Sequence, residues 1–273
     1  MSALGKWKAQ GRAALCLYVE NDISRIMGRG RKRASSRASG QLPIRFPRKR
    51  AKTKRMHGGS REGAGRKPAN GVKAGMPHVA RPKLSRHHPV HITVRVARDV
   101  ERLRKRRAYQ CVSWALIRMH AREDFRIVHV SIQSNHVHLL VEAHDERALS
   151  RGVRAFEISF ARRINRAMRT RKGRVFPDRY HARQIKTPRQ ARSAFAYVLN
   201  NWRKHREDVG RSWRLDPYST AIAFEGWKHH ARPFRWPRDY EALPVRFPTC
   251  WLLTEGWRKH GLVGIDERPG PSE

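Results

Sequence analysis

Residues 127–143 read IVHVSIQSNHVHLLVEA, and the fold is decided by how this stretch is paired. Val128, Val130 and Ile132 alternate with Ile127, His129 and Ser131, the period of two that sends successive side chains to opposite faces of a strand. Gln133-Ser134-Asn135 reads as a turn and residues 136–143 as the returning strand, so the two are expected to form a hairpin. On the returning strand His136 and His138 project together with Leu140 and Glu142, while Val137, Leu139 and Val141 face the core. Two imidazoles side by side supply two-thirds of a facial metal site. The same pattern also describes two solvent-facing histidines on a strand, and only a third ligand from elsewhere would separate these readings.

Working outward, Val90, Ile92, Val94 and Val96 alternate with His91, Thr93 and Arg95, which predicts a half-buried strand. Residues 99–121 follow as an expected helix, with Val100, Leu103, Val112, Leu116 and Met119 among its apolar positions. Beyond the hairpin, Leu149, Val153, Phe156, Phe160 and Ile164 recur every three or four residues and predict a helix over 146–169. A short extended piece runs from Val175 to Ile185. Thr187 as N-cap, Pro188 at the first helical position and Gln190 completing a capping box then open a helix that should reach about His205. The order strand, helix, strand, strand, helix, strand, helix matches an α+β fold, an antiparallel sheet covered by helices.

The chain has 273 residues and a formal net charge of +39, with 61 Lys and Arg against 22 Asp and Glu. A chain so basic repels itself unless a polyanion neutralises it, which points to nucleic acid as the partner. A membrane is the poorer expectation. No apolar run approaches the roughly 20 residues of a spanning helix, and no long amphipathic Lys-rich helix appears. Cys16, Cys111 and Cys250 are far apart and form neither a disulfide framework nor a CxxC site, which suits a reducing, cytoplasmic setting. Residues 1–87 hold about half of the net positive charge, lack any acid between Asp22 and Glu62, and are expected to form a largely disordered basic arm. Within it, the glycines of GGSREGAGRKP (58–68) lack the preceding strand and the GK[ST] ending of a phosphate loop. The expected organisation is that arm, a catalytic-type domain over 88–210, and a Trp-, Arg- and Pro-rich extension over 211–273 with weak signals.

The helix after Thr187 carries a candidate third ligand. Its apolar stripe is Ala191, Ala194, Phe195, Val198 and Trp202; at about 100° per residue, Tyr197 falls on roughly the opposite side. Asn201 lies one turn further along. An amide oxygen there can bind a hard divalent ion, with the phenol held beside it to attack a phosphate that the ion polarises. Taken alone, Tyr197 and Asn201 also read as two surface residues.

Taken together, SNHVHLLVE (134–142) and YVLNNWRKH (197–205) resemble the one-tyrosine HUH transposases, and above all the REP-associated tyrosine transposases of the IS200-like group. The resemblance covers about residues 88–210. Trp202 departs from it, since many relatives carry proline there, a structural change outside the chemistry. It implies a ferredoxin-like HUH nuclease fold, His136, His138 and Asn201 as ligands of Mg²⁺ or Mn²⁺, and Tyr197 as nucleophile on single-stranded, hairpin-bearing DNA. It further implies a 5′-phosphotyrosine intermediate and a homodimer, leaving open whether each site is assembled within one chain. Arg179, Arg183, Arg163 and Lys204 are candidate DNA contacts. Tyr180, in FPDRYH (176–181), is a rival nucleophile without a ligand-type residue one turn along. The alternative function is a non-catalytic DNA- or RNA-binding protein that keeps the fold.

Overall fold

The structure is a computed structural model that describes residues 82–169, 173–228 and 240–270. The expectations for the basic arm, Pro82 to His87 apart, and for GGSREGAGRKP fall outside these residues. Strand β1 (Val90–Arg95) is followed by α1 (Arg106–Met119), β2 (Phe125–Ile132), β3 (His136–Ala143), α2 (Glu146–Ala167), β4 (His181–Gln184) and α3 (Pro188–Lys204). The strands form one sheet in the order β2-β3-β1-β4, and each neighbouring pair is antiparallel. A β-α-β-β-α-β chain with its first and third strands central is the ferredoxin-like arrangement that the sequence implied.

One face of the sheet is hydrocarbon. Val90, Ile92 and Val94 of β1 and Val137, Leu139 and Val141 of β3 meet Ala108, Val112 and Leu116 of α1, and Leu149, Val153, Phe156, Phe160 and Ile164 of α2. Helix α2 starts where Asp145 accepts a hydrogen bond from the Ala148 amide, a charged cap at the positive end of the helix dipole. Gly152 lets α2 lie directly on β2, because a Cβ there would stand 2.2 Å from the Phe125 ring.

The other face is covered by α3, whose cap is the expected one with a difference. The Thr187 hydroxyl accepts from the Gln190 amide at 3.2 Å, and the Gln190 carbonyl oxygen reaches back to the Lys186 amide at 2.8 Å, one residue beyond the cap itself. The stripe Ala191, Ala194, Phe195 and Val198 packs on Val128, Leu140 and Ile185. The outer side of α3 is buried as well, by a 3-10 turn (Thr220–Ala223), a short helix α4 (Trp251–Thr254) and a further 3-10 turn (Gly256–His260). Phe195 sits 5.1 Å from both Phe224 and Trp257, ring centre to ring centre. Asn200 donates to the Gly264 carbonyl and Arg203 to that of Ile265.

Two sequence expectations are corrected. Helix α1 begins at Arg106 rather than near residue 99. Val100 and Leu103 are buried, yet the Val96 and Leu103 amides bond the carbonyls of Asn135 and Ser134, so this apolar spacing belongs to a loop laid against the β2–β3 turn. In β2 the simple alternation breaks, because the register shifts between Ile127 and His129. Ile127 joins the α1–α2 core with Val130 and Ile132, and Val128 turns to the α3 side. A bulge inserts one residue and flips what precedes it.

Candidate active site

The histidine pair lies beneath α3, and His138 is buried rather than solvent-facing. The two Nε2 atoms stand 3.0 Å apart. Each ring is held from behind: His136 Nδ1 lies 2.7 Å from Asn135 Oδ1, and His138 Nδ1 lies 3.1 Å from both His91 Nε2 and Thr93 Oγ1. An Nδ1–H donated to such an acceptor leaves Nε2 as a lone pair, which is the tautomer a metal-binding imidazole needs. Burial pushes His136 down to about 4, with His205 and Arg95 adding to it, and it pushes His138 well below its ordinary value with help from His91 and His136. Both rings are therefore neutral at pH 7, with lone pairs to offer.

Helix α3 brings Tyr197 onto this pair. Its ring lies 5.3 Å from that of His138 and 5.4 Å from that of His91, edge-on to both, and the Lys204 ammonium stands 5.0 Å over it. Asn201, one turn on, is fully buried, and neither its carboxamide oxygen nor its nitrogen has a hydrogen-bond partner. A buried amide left without partners costs about 1–3 kcal/mol, a cost removed when a ligand occupies it. Another turn on, the His205 ring is 5.4 Å from that of His136. Among the described residues, no group of three or more His, Cys, Asp or Glu side chains is arranged to hold a metal ion. Two neutral imidazoles and an unpartnered amide fit a divalent cation.

The remaining candidates are scattered. Arg183 on β4 lies opposite His91 in register, and its charge helps to hold that imidazole down at about 4, after burial and the charge of His181. Arg179 is half-buried in the loop ahead of β4, where its amide bonds the Asp178 carboxylate. Arg163 is on α2, across the sheet, its guanidinium 4.1 Å over the Trp114 ring. Tyr180 is buried in the α1–α2 core with its hydroxyl 3.4 Å from that of Ser150, which sets it on the opposite face from the histidines. His129 is separate from the pair, sealed between Phe195 and Phe224 and bonded to the Thr220 hydroxyl. The sequence reading missed His91, Thr93 and His205. The first two alternate correctly on β1, but only the pairing of Thr93 with His138 reveals them, whereas His205 stands two helical turns from Tyr197.

An antiparallel sheet thus presents an HxH strand to a tyrosine-bearing helix. Residues 85–201 match the family described as transposase IS200 like. Two solved structures are similar. A REP-associated tyrosine transposase bound to a REP hairpin shares 18% identity over 64% of this chain and 100% of its own, with a TM-score of 0.45. A protein from Deinococcus radiodurans R1 described as a candidate transposase shares 17% identity over 50% of this chain and 97% of its own, with a TM-score of 0.32. No curated protein matches the chain. Among the described residues, no helix is long and apolar enough to cross a membrane.

Proposed function

We propose that this chain is a metal-dependent, HUH-type endonuclease and strand transferase that acts on hairpin-bearing single-stranded DNA, with Tyr197 as nucleophile. The observation that supports the reading is two Nε2 atoms 3.0 Å apart with a tyrosine ring on the same imidazoles, one helical turn from the buried, unpartnered amide of Asn201. His136, His138 and Asn201 would hold the ion, which as Mg²⁺ or Mn²⁺ supplies charge withdrawal from the scissile phosphate.

The protein's own groups do the rest. The Tyr197 oxygen attacks phosphorus, and the bond from phosphorus to the 3′ oxygen breaks. That oxygen leaves with the electron pair and takes up a proton, the phenol gives its own proton to solvent, and the 5′ phosphate stays esterified to Tyr197. One phosphodiester replaces another, so attack by a different 3′-hydroxyl reverses the step and rejoins strands without a nucleotide. The Lys204 ammonium stands 5.0 Å over the Tyr197 ring. Arg183, Arg179 and Lys204 would grip flanking phosphates without reading sequence. Arg163, across the sheet, has no part in this reading.

The test is cleavage of labelled hairpin DNA with a single-stranded flank. A metal-dependent cut with one 3′-hydroxyl end, one protein-blocked 5′ end and no activity in Asn201→Ala is expected. Cleavage in EDTA, or a free 5′ phosphate at the earliest times, would exclude the mechanism.

A further inference from the structure

The two halves of this site come from different parts of the fold. The histidines ride on β3, directly after the turn Gln133-Ser134-Asn135, and Tyr197, Asn201, Lys204 and His205 ride on the second half of α3. Nothing in an antiparallel sheet fixes how far the free end of a covering helix stands from one hairpin turn. A polar connection spans that gap here.

It begins at the end of α3. Arg206 adopts a positive φ of 57°. The Arg206 amide bonds the Arg203 carbonyl and the Glu207 amide that of Trp202, the paired 5→2 and 6→1 bonds of a Schellman turn. A non-glycine residue in this region costs about 1 kcal/mol and is retained where the surroundings demand it. The reversal returns Glu207 onto the β2–β3 turn, where its carboxylate accepts a hydrogen bond from the Ser134 hydroxyl and another from Arg102. The Arg104 side chain, 7% exposed, backs the same point. It forms a two-pronged pair with the fully buried Asp216 at 2.8 and 3.0 Å, donates to the Ile132 carbonyl at 2.9 Å, and lies 3.9 Å from Glu207. The backbone of the turn is pinned too, by the Val96 and Leu103 amides.

We infer that Ser134 and Glu207 are positioning residues: their hydrogen bond, braced by Arg104 and Asp216, sets the separation between the histidine strand and the tyrosine helix. Neither touches the reacting atoms. This inference rests on the proposed function for its consequence, because ion affinity falls when its ligands are held at the wrong spacing. The contact itself stands on the geometry alone.

The experiment uses the full chain, metal-free and then titrated with Mn²⁺, in wild type, Ser134→Ala, Glu207→Ala, Glu207→Gln and the Ser134→Ala/Glu207→Ala double variant. Hydrogen exchange by mass spectrometry reads the strut without metal. Mn²⁺ binding, followed by the loss of the free-ion electron paramagnetic resonance signal, reads its consequence. Glu207→Ala is expected to speed exchange in peptides spanning 132–137 and 203–208 while those of α2 stay unchanged. It is also expected to weaken Mn²⁺ binding about tenfold or more. Ser134→Ala should behave alike, the double variant should be no worse than either single, and Glu207→Gln, which keeps an acceptor for Ser134, should recover part of the affinity. Unchanged local exchange overturns the strut. Faster exchange with unaltered Mn²⁺ affinity overturns the positioning role. A wild type that binds no Mn²⁺ overturns the proposed function instead, and the exchange data then judge the strut by themselves.

Discussion

The two faces of the sheet are built from different materials. Toward α1 and α2, every inward side chain of β1 and β3 is aliphatic and the helices answer with Leu, Val, Ile and Phe. Toward α3, the same two strands present His91, Thr93, Arg95, His136 and His138 beside a single aliphatic residue, Leu140. That polar floor is roofed by α3, which is itself roofed by Phe224, Trp227 and Trp257. The first face holds the fold through apolar burial and needs no particular geometry beyond good packing. The second spends stability on buried imidazoles and an unpartnered amide, and such costs persist where the groups are put to use.

This contrast is sharpened most by a substitution on the polar face. His138→Ala should eliminate metal-dependent cleavage while leaving the thermal midpoint within a few degrees, because the buried ring packs on His91, His136 and Tyr197 and lies outside both apolar clusters. Activity assays beside calorimetry decide this, and a variant that cleaves normally would remove His138 from the site. Phe156→Ala, on the apolar face, should do the reverse. A loss of about 3–5 kcal/mol in urea unfolding is expected for a fully buried phenylalanine, with cleavage per folded molecule unchanged.

Acid should also act through the polar face. Burial holds His129 neutral and pushes it down to about 3. Below pH 6.5 the unfolded chain takes up a proton that the native state refuses until about pH 3, so the contribution is fully present above 6.5 and lost as pH falls through that window. The slope from one such group is on the order of 1.4 kcal/mol per pH unit. Urea midpoints measured between pH 6.5 and 4 should fall for wild type, and His129→Gln should fall less steeply. Equal slopes would mean that His129 is protonated in the native state. The smallest effect is expected at the end of α3. Arg206→Gly relieves a positive φ and should raise stability by up to about 1 kcal/mol, with cleavage intact.

Much of this was written in the sequence, and unevenly. The apolar face was legible because Val90, Ile92 and Val94, and Leu149 through Ile164, repeat at strand and helix periods with nothing to interrupt them. The start of α3 was legible because Thr187, Pro188 and Gln190 each do a local job. His136, His138, Tyr197 and Asn201 could be singled out by spacing and by resemblance, yet His91 and Thr93 could not. Their role exists only through β1–β3 register, which is a property of two segments some forty residues apart. The bulge in β2 hid for a related reason, since an inserted residue leaves the composition of the strand unchanged. Burial of Val100 and Leu103 imitated a helix because periodicity reports which residues are inside and not which hydrogen bonds their backbone makes. The aromatic roof over α3 stayed unread because Phe224, Trp227 and Trp257 come from short, aperiodic turns whose partner is the outer side of a helix that already had one apolar stripe.

The central claim is that Tyr197, rather than Tyr180 or water, takes the DNA phosphate. Its most direct test is to trap the covalent adduct on a labelled hairpin with Mn²⁺, digest it with protease, and identify the nucleotide-bearing peptide by mass spectrometry in wild type and Tyr197→Phe. A metal-dependent adduct on the peptide containing Tyr197, absent from the variant, is the result expected. An adduct on the peptide containing Tyr180, or one that persists in Tyr197→Phe, would contradict the account, because Tyr180 lies in the α1–α2 core on the opposite side of the sheet from the histidines.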